Sequence, residues 1–374
     1  MQATDTSFPP RDGDELAHWI RLEQTPGVGL LTARRLLGAF GLPQHVFGAG
    51  FDALCQWVTP GVARALLQPV SAATAALIEA TLAWLAQPGN FALAINDAAY
   101  PTSLLNIADP PLLLYVKGRP ELLAGPWLAV VGSRNASAQG VANAERFSQA
   151  LSEAGLCIVS GLALGIDAAA HRGGLRGRGS SIAVIGTGAD IVYPRRNRDL
   201  AHRLAEQGCI ISEYPLGLPA LPGNFPRRNR LISGLSRGVL VVEAAARSGS
   251  LITAHEANEQ GRDVFAIPGS IHSALSKGCH ALIKQGAKLV ESADDVLQEL
   301  GLLTPSPGPA APGCAIPPAQ QALLAALGHD PAGADQLASR AGLDAAGVIA
   351  QLLALELAGL VERLPGGLFQ RHQP

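Results

Sequence analysis

Seven short apolar runs recur between residues 127 and 301: WLAVVGS, LCIVSG, SIAVIGT, CIISEY, GVLVVEA, DVFAIPG and AKLVE. Each closes in a turn and is followed by polar or Ala-rich amphipathic sequence, such as NRDLAHRLAEQG or SLITAHEANEQG. Apolar runs this short, separated by helix-length segments, fit the buried strands of a parallel sheet with helices on both faces. The alternation therefore predicts an α/β, Rossmann-like, doubly wound and mainly parallel sheet. Ligands of open sheets of this kind collect beyond the carboxyl ends of the strands. The turns GSRNAS, SGLALGID, GTGADIVYP, SEYPLG, EAAARSGS and PGS are accordingly where function is expected.

Charge points to the same turns. The chain of 374 residues has a formal net charge of only -2. From Trp127 to Val290, however, 15 Arg and 3 Lys face 11 Asp plus Glu, a local +7 that leaves -9 for the rest. Most of those arginines fall in HRGGLRGRG (171–179), YPRRNRD (193–199) and FPRRNR (225–230), in strand-end turns or at the helix starts they lead into. An arginine fork beside the free N–H groups of a helix start binds phosphate, and several such cradles on one rim suit a polyanion better than one small ligand. The candidate contacts are Ser133 and Arg134, then Arg195 and Arg196 with Asn197 as helix cap, then Arg227, Arg228, Asn229 and Arg230 at the helix NRLISGLS. Tyr193 and Phe225 add faces on which unpaired bases can stack, which single-stranded nucleic acid offers and a duplex hides.

Enzymatic signatures fail. GxGxxG and a Walker A lysine loop are missing, and GLSRG (234–238) leads from a helix into a strand, the reverse of a nucleophile elbow. No metal-spaced cluster occurs, and Cys55, Cys157, Cys209, Cys279 and Cys314 lie far apart without a CxxC pair, so neither metal, cofactor nor disulfide framework is expected. Cys157 and Cys209 read as small apolar strand residues. Asp167 and His171, one helical turn apart, fit a brace for neighbouring turns better than an acid–base pair. Glu243 fits a partner for arginine or backbone donors, while Gly132, Gly161, Gly165, Ser248 and Gly249 shape the turns. The expectation is a binding platform without catalysis. Two alternatives stand beside it: a nucleotide-processing enzyme using Asp167 or Glu243, and a duplex-DNA regulator acting through the carboxy-terminal region.

In order and spacing, VVGSRNASAQG, SGLALGIDAAAH, IAVIGTGADIVYP, ISEYP, FPRRNRLISGLSRGVLVVEAAARSGSLITAHEANEQGRDVFAIPGS and KGCHALIKQGA resemble the DNA-processing protein family DprA, also called Smf. The resemblance covers roughly residues 90–300. It implies a Rossmann-like domain that binds and protects single-stranded DNA, forms a homodimer and loads the RecA recombinase in natural transformation. It also implies a DNA site at Ser133, Arg134, the YPRRN turn and Phe225 with the arginines of FPRRNR, and a dimer surface near Leu275 to Leu289. His280 stands where many members of the family have Asn.

Four segments are expected: helical, of sterile-alpha-motif or helix-hairpin-helix type, over 1–90; the Rossmann-like domain over 91–302; a Pro/Gly/Ala linker over 303–318; and a winged-helix-like domain over 319–374. Residues 25–41 carry the Gly-Val-Gly hairpin turn, but residues 1–90 hold 5 basic against 7 acidic side chains, favouring a structural or protein-contact role. The last segment holds 3 basic against 5 acidic, and its recognition helix from Asp344 has no Arg or Lys, which disfavours groove reading of duplex DNA. No unbroken apolar run of about 18 residues occurs. With an acidic, polar amino terminus, the chain is expected in the cytoplasm rather than in or across a membrane.

Overall fold

A computed structural model describes residues 13–302, 317–328, 330–364 and 366–371. All seven expected strands form: β3 (Trp127–Val131), β4 (Cys157–Ser160), β5 (Ser181–Val184), β6 (Cys209–Ser212), β7 (Gly238–Val241), β8 (Asp263–Ala266) and β9 (Lys288–Leu289). They pair in parallel, β3 beside β4 with Trp127 opposite Cys157 and beside β7 with Ala129 opposite Val239. Two strands unforeseen in the sequence precede them, β1 (Asn90–Ala94) and β2 (Leu113–Gly118), which add antiparallel at one edge through β2 and β6. The nine-stranded order is β1-β2-β6-β5-β4-β3-β7-β8-β9.

The chain winds outward from β3 in both directions, so the crossovers diverge between β3 and β7. In open sheets, such a divergence at the carboxyl ends of the strands is where ligands collect. Buried apolar side chains fill the sheet, among them Val131, Val159, Ile182, Ile211, Val239 and Val241. Cys157 and Cys209 are free and buried in that layer.

Six helices between Gly13 and Leu85 precede the sheet. Their core of Leu16, Trp19, Ile20, Leu36, Leu54 and Leu66 continues into Ala94, Leu112 and Leu113, next to the outer strands. Removing that much apolar surface from water fixes the helical region onto the sheet edge.

From residue 317 onward, helices Pro318–Leu327, Ala334–Ala341 and Ala345–Leu357 combine with β10 (Ala332–Gly333), β11 (Val361–Leu364) and β12 (Leu368–Arg371). This is a winged helix around its own core of Leu323, Leu327, Leu337, Val348, Leu352 and Leu355. The expected linker lies, apart from its last residues, outside the described residues. Among the described residues, no single helix is long and apolar enough to cross a membrane.

Candidate nucleic-acid interface

The turn after β3 is tied to its neighbours through backbone. The Ser133 N–H donates to the Glu243 carbonyl at 2.7 Å, and the Ser133 carbonyl accepts from Ile166 N–H at 3.1 Å. Gly165 holds φ +75°, and a Cβ there would fall onto the carbonyl oxygens of Ser133 and Arg134. Only glycine permits this stacking of one turn on the other. Ser133 is buried and its hydroxyl accepts from Asn135 N–H at 3.2 Å, whereas Arg134 faces solvent.

The turn after β4 is held in a sparsely populated conformation by three side chains. Leu162 sits at φ 59°, in the left-handed region. Its N–H donates to His171 Nε2 at 3.3 Å, and its carbonyl accepts from Asn197 Nδ2 at 2.9 Å. His171 Nδ1–H in turn donates to Ser181 Oγ at 2.8 Å, and that hydroxyl donates to the Ile158 carbonyl, so one tautomer satisfies the whole chain. Burial drives the His171 pKa down to about 3, keeping the ring neutral. Asp167 Oδ2 accepts from the N–H groups of Gly161 (3.2 Å) and Ala163 (3.3 Å). Asp167 and His171 thus hold backbone from inside the fold.

The third part of the rim is aromatic. Tyr193 and Phe225 pack with ring centroids 5.5 Å apart at 35°. Phe225 is placed by its neighbour Asn224, whose Nδ2 donates to the Gly186 carbonyl (3.1 Å) and whose carbonyl accepts from Tyr214 Oη–H (3.1 Å). Tyr193 is 49% exposed. Arg195 and Arg196, just after Tyr193, and Arg227, just after Phe225, are exposed, and Phe225 and Asn229 are half-buried.

Three expected contacts are corrected. Asn197 makes no side-chain cap for the helix Arg198–Gln207; its side chain is buried and bonded to the carbonyls of Leu162 and Ala163. Arg228 and Arg230 are only 4% and 5% exposed. The helix starts at Asn224, five residues earlier than NRLISGLS suggests, so Arg228 precedes Leu231, Ile232 and Leu235 on the inward stripe. The Arg228 guanidinium packs against Gly161, where any Cβ would collide with it, and donates to the Val184 carbonyl. Burial lowers its pKa to about 10 while Asp167 opposes that shift, so it stays charged at neutral pH. Arg230 pairs with Glu213 at 2.5 Å and Asp109 at 2.9 Å. Burial raises the Glu213 pKa and Arg230 pulls it back.

Glu243 contributes its carbonyl to the Ser133 turn, Gly132 packs between Ile166 and that carbonyl, Ser248 Oγ shares a hydrogen bond with Ser250 Oγ (2.7 Å), and Gly249 leads the helix Ser250–Glu259. His280 Nε2 donates to the Gly269 carbonyl at 2.9 Å. Among the described residues, no group of three or more His, Cys, Asp or Glu could hold a metal ion. The expected contacts left facing solvent are Arg134, Tyr193, Arg195, Arg196 and Arg227, with Phe225 half-buried against Tyr193 and Arg228 buried on Gly161. Such a surface can bind phosphates with its guanidinium groups and a base with its rings.

Comparison with known proteins matches the family described as DNA recombination-mediator protein A over residues 91–301, and a DprA winged helix domain over residues 304–367. The chain is 47% identical over 300 residues to Protein Smf of Escherichia coli (strain K12), covering 78% of this chain and 80% of that one. It is 54% identical over 205 residues to the DNA processing protein DprA of Streptococcus pneumoniae, covering 55% and 72%. The X-ray structure of the Streptococcus pneumoniae protein superposes with a TM-score of 0.65 at 41% identity, over 78% of this chain and 99% of that one. A structure of DNA processing protein A from Helicobacter pylori, solved for its single-stranded DNA binding mode, gives 0.52 at 28% identity, over 56% and 95%.

Proposed function

Because this chain belongs to the DprA/Smf family of DNA recombination mediators, we propose that its strand-end rim binds single-stranded DNA. In this reading the protein works in the cytoplasm as a homodimer that protects incoming strands and loads RecA onto them in natural transformation. The observation that carries the reading is the Tyr193–Phe225 pair, partly open to solvent, with exposed Arg195 and Arg196 following Tyr193 in the chain, exposed Arg227 following Phe225, and exposed Arg134 in the turn after β3. Stacking on aromatic faces demands unpaired bases, and guanidinium contacts to phosphate carry no sequence preference. Two further facts favour binding to a single strand without chemistry. Asp167 and His171 are buried and committed to backbone. The helix Ala345–Leu357, in the recognition position of the winged helix, carries no Arg or Lys.

The test is fluorescence anisotropy of a labelled poly-dT strand with unlabelled single strand or duplex as competitor. The single strand displaces the probe and an equal length of duplex does not. Tyr193→Ala lowers affinity at least about fivefold, the low end of what one base–aromatic stack contributes. Equal competition by duplex sinks the reading. For the mediator step, the readout is RecA ATP hydrolysis on DNA precoated with single-strand-binding protein, which the wild type restores and Tyr193→Ala restores poorly. Sedimentation velocity reads the dimer.

A further inference from the structure

Three large aromatic side chains are at least 37% exposed among the described residues: Phe51 (37%), Trp57 (47%) and Tyr193 (49%). Tyr193 belongs to the rim already described. The other two lie in the amino-terminal helical region, and each has an arginine for company. The Arg64 guanidinium sits 5.9 Å from the Phe51 ring centre. Trp57 and Arg35 line one cleft of about 410 Å³, with Gly27, Thr32, Thr59 and Val62 among its other lining residues. Arg35 also borders an adjoining cleft of about 440 Å³ with Arg34 and the 60% exposed Leu31.

The acidic balance of residues 1–90 conceals how the charge is divided. Residues 25–70, which build both clefts, contain Arg34, Arg35 and Arg64 against Asp52 alone. Asp5, Asp12, Asp14, Glu15, Glu23 and Glu79 lie outside that span. Gly27, at φ +82°, lies so close to Val62 that a Cβ would come within 2.8 Å of its methyl group. The same cleft is lined by the half-exposed Trp57, the exposed Arg35, and Thr32 and Thr59. An indole beside a guanidinium in a shallow, locally cationic cleft repeats the composition of the rim.

We propose that this cleft is a second seat for single-stranded DNA, with one base stacked on Trp57 and an adjacent phosphate at Arg35. The proposal rests on the reading of the chain as a single-strand binder and adds a contact outside the sheet domain. Its energetics are those of any stacking platform joined to an electrostatic groove, so it extends the footprint without adding sequence preference.

Tryptophan emission tests it directly, because Trp19, Trp84 and Trp127 are 1%, 6% and 8% exposed and only Trp57 is open to a collisional quencher. Acrylamide quenching of the full chain is measured with and without poly-dT, with anisotropy of the same strand followed in parallel. The expected result is that bound strand shields Trp57, that Trp57→Ala weakens binding about five- to tenfold, and that Arg35→Ala lowers the logarithmic salt slope by about 0.7. Trp57→Phe, which keeps a ring, retains most of the affinity and guards against a folding artefact. If the strand binds by anisotropy yet leaves acrylamide quenching unchanged, and Trp57→Ala binds like wild type, the proposal is overturned and the cleft is a protein-contact surface. If no strand binds at all, the parent reading fails instead, and this seat with it.

Discussion

Arg228 separates a structural arginine from a DNA-contacting one most sharply. Its guanidinium is buried between the turn after β4 and the end of β5, packed on Gly161, bonded to the Val184 carbonyl and electrostatically coupled to Asp167. Arg228→Ala removes the donor to Val184 and the positive charge that offsets burial of the Asp167 carboxyl. Leaving a buried hydrogen-bonding group unsatisfied costs about 1–3 kcal/mol. With a shift of roughly 2–4 °C per kcal/mol for a large domain, the melting temperature should fall by at least about 2 °C. Asp167→Asn in the same chain should recover part of that loss, since the two groups interact and their effects are not additive. The assay is thermal unfolding of the two single variants and the double variant, together with the salt dependence of poly-dT binding well below the transition. Wild-type stability in Arg228→Ala, joined to a salt slope lowered by about 0.7, would mean that Arg228 touches phosphate and that the burial argument is wrong.

Two further predictions concern the scaffold. Burial, reinforced by Glu213 and opposed by Gln24 and Arg227, pushes the Glu23 carboxyl up to about 8, so the folded state holds a proton that the unfolded chain releases near 4.5. Stability from this group is full at low pH and is lost as pH rises through 8, so Glu23→Gln should gain in melting temperature over wild type between pH 5 and 9. Parallel curves would refute it. Gly165→Ala forces a side chain into the left-handed region and onto two carbonyl oxygens, and should lower both the melting temperature and poly-dT affinity by loosening the Arg134 turn. An unchanged melt in that variant would contradict the stacked-turn geometry.

The sheet was legible because its strands are short, apolar on both faces and followed by helix-length amphipathic segments. β1 and β2 escaped because Pro101, Pro110 and Pro111 crowd the segment between them and neither strand carries an alternation to mark it. Of the three arginine clusters, YPRRNRD and FPRRNR follow β5 and β6 as expected, whereas HRGGLRGRG spans the end of the helix Ile166–Gly174 and the loop before β5, and charge alone could not say which way each arginine points. Phase could have done so: a helix begun at Asn224 puts Arg228 three and four residues before Leu231 and Ile232, on the buried stripe. Leu162 at positive φ left no trace, because its conformation is imposed by His171 and Asn197 from elsewhere in the chain. In the amino-terminal region, net charge summed over 90 residues hid a local cationic cleft.

The central claim is that DNA lies on the strand-end rim, held by arginines that face solvent rather than by those buried beneath it. Its most direct test is the salt dependence of poly-dT affinity for wild type and for Arg134→Ala combined with Arg196→Ala. Both side chains are exposed, so the double variant should melt like wild type while its logarithmic salt slope falls by about 1.4, or about 0.7 for each arginine removed from a phosphate. Unchanged affinity and slope in a properly folded double variant would contradict the account and move the DNA off this face.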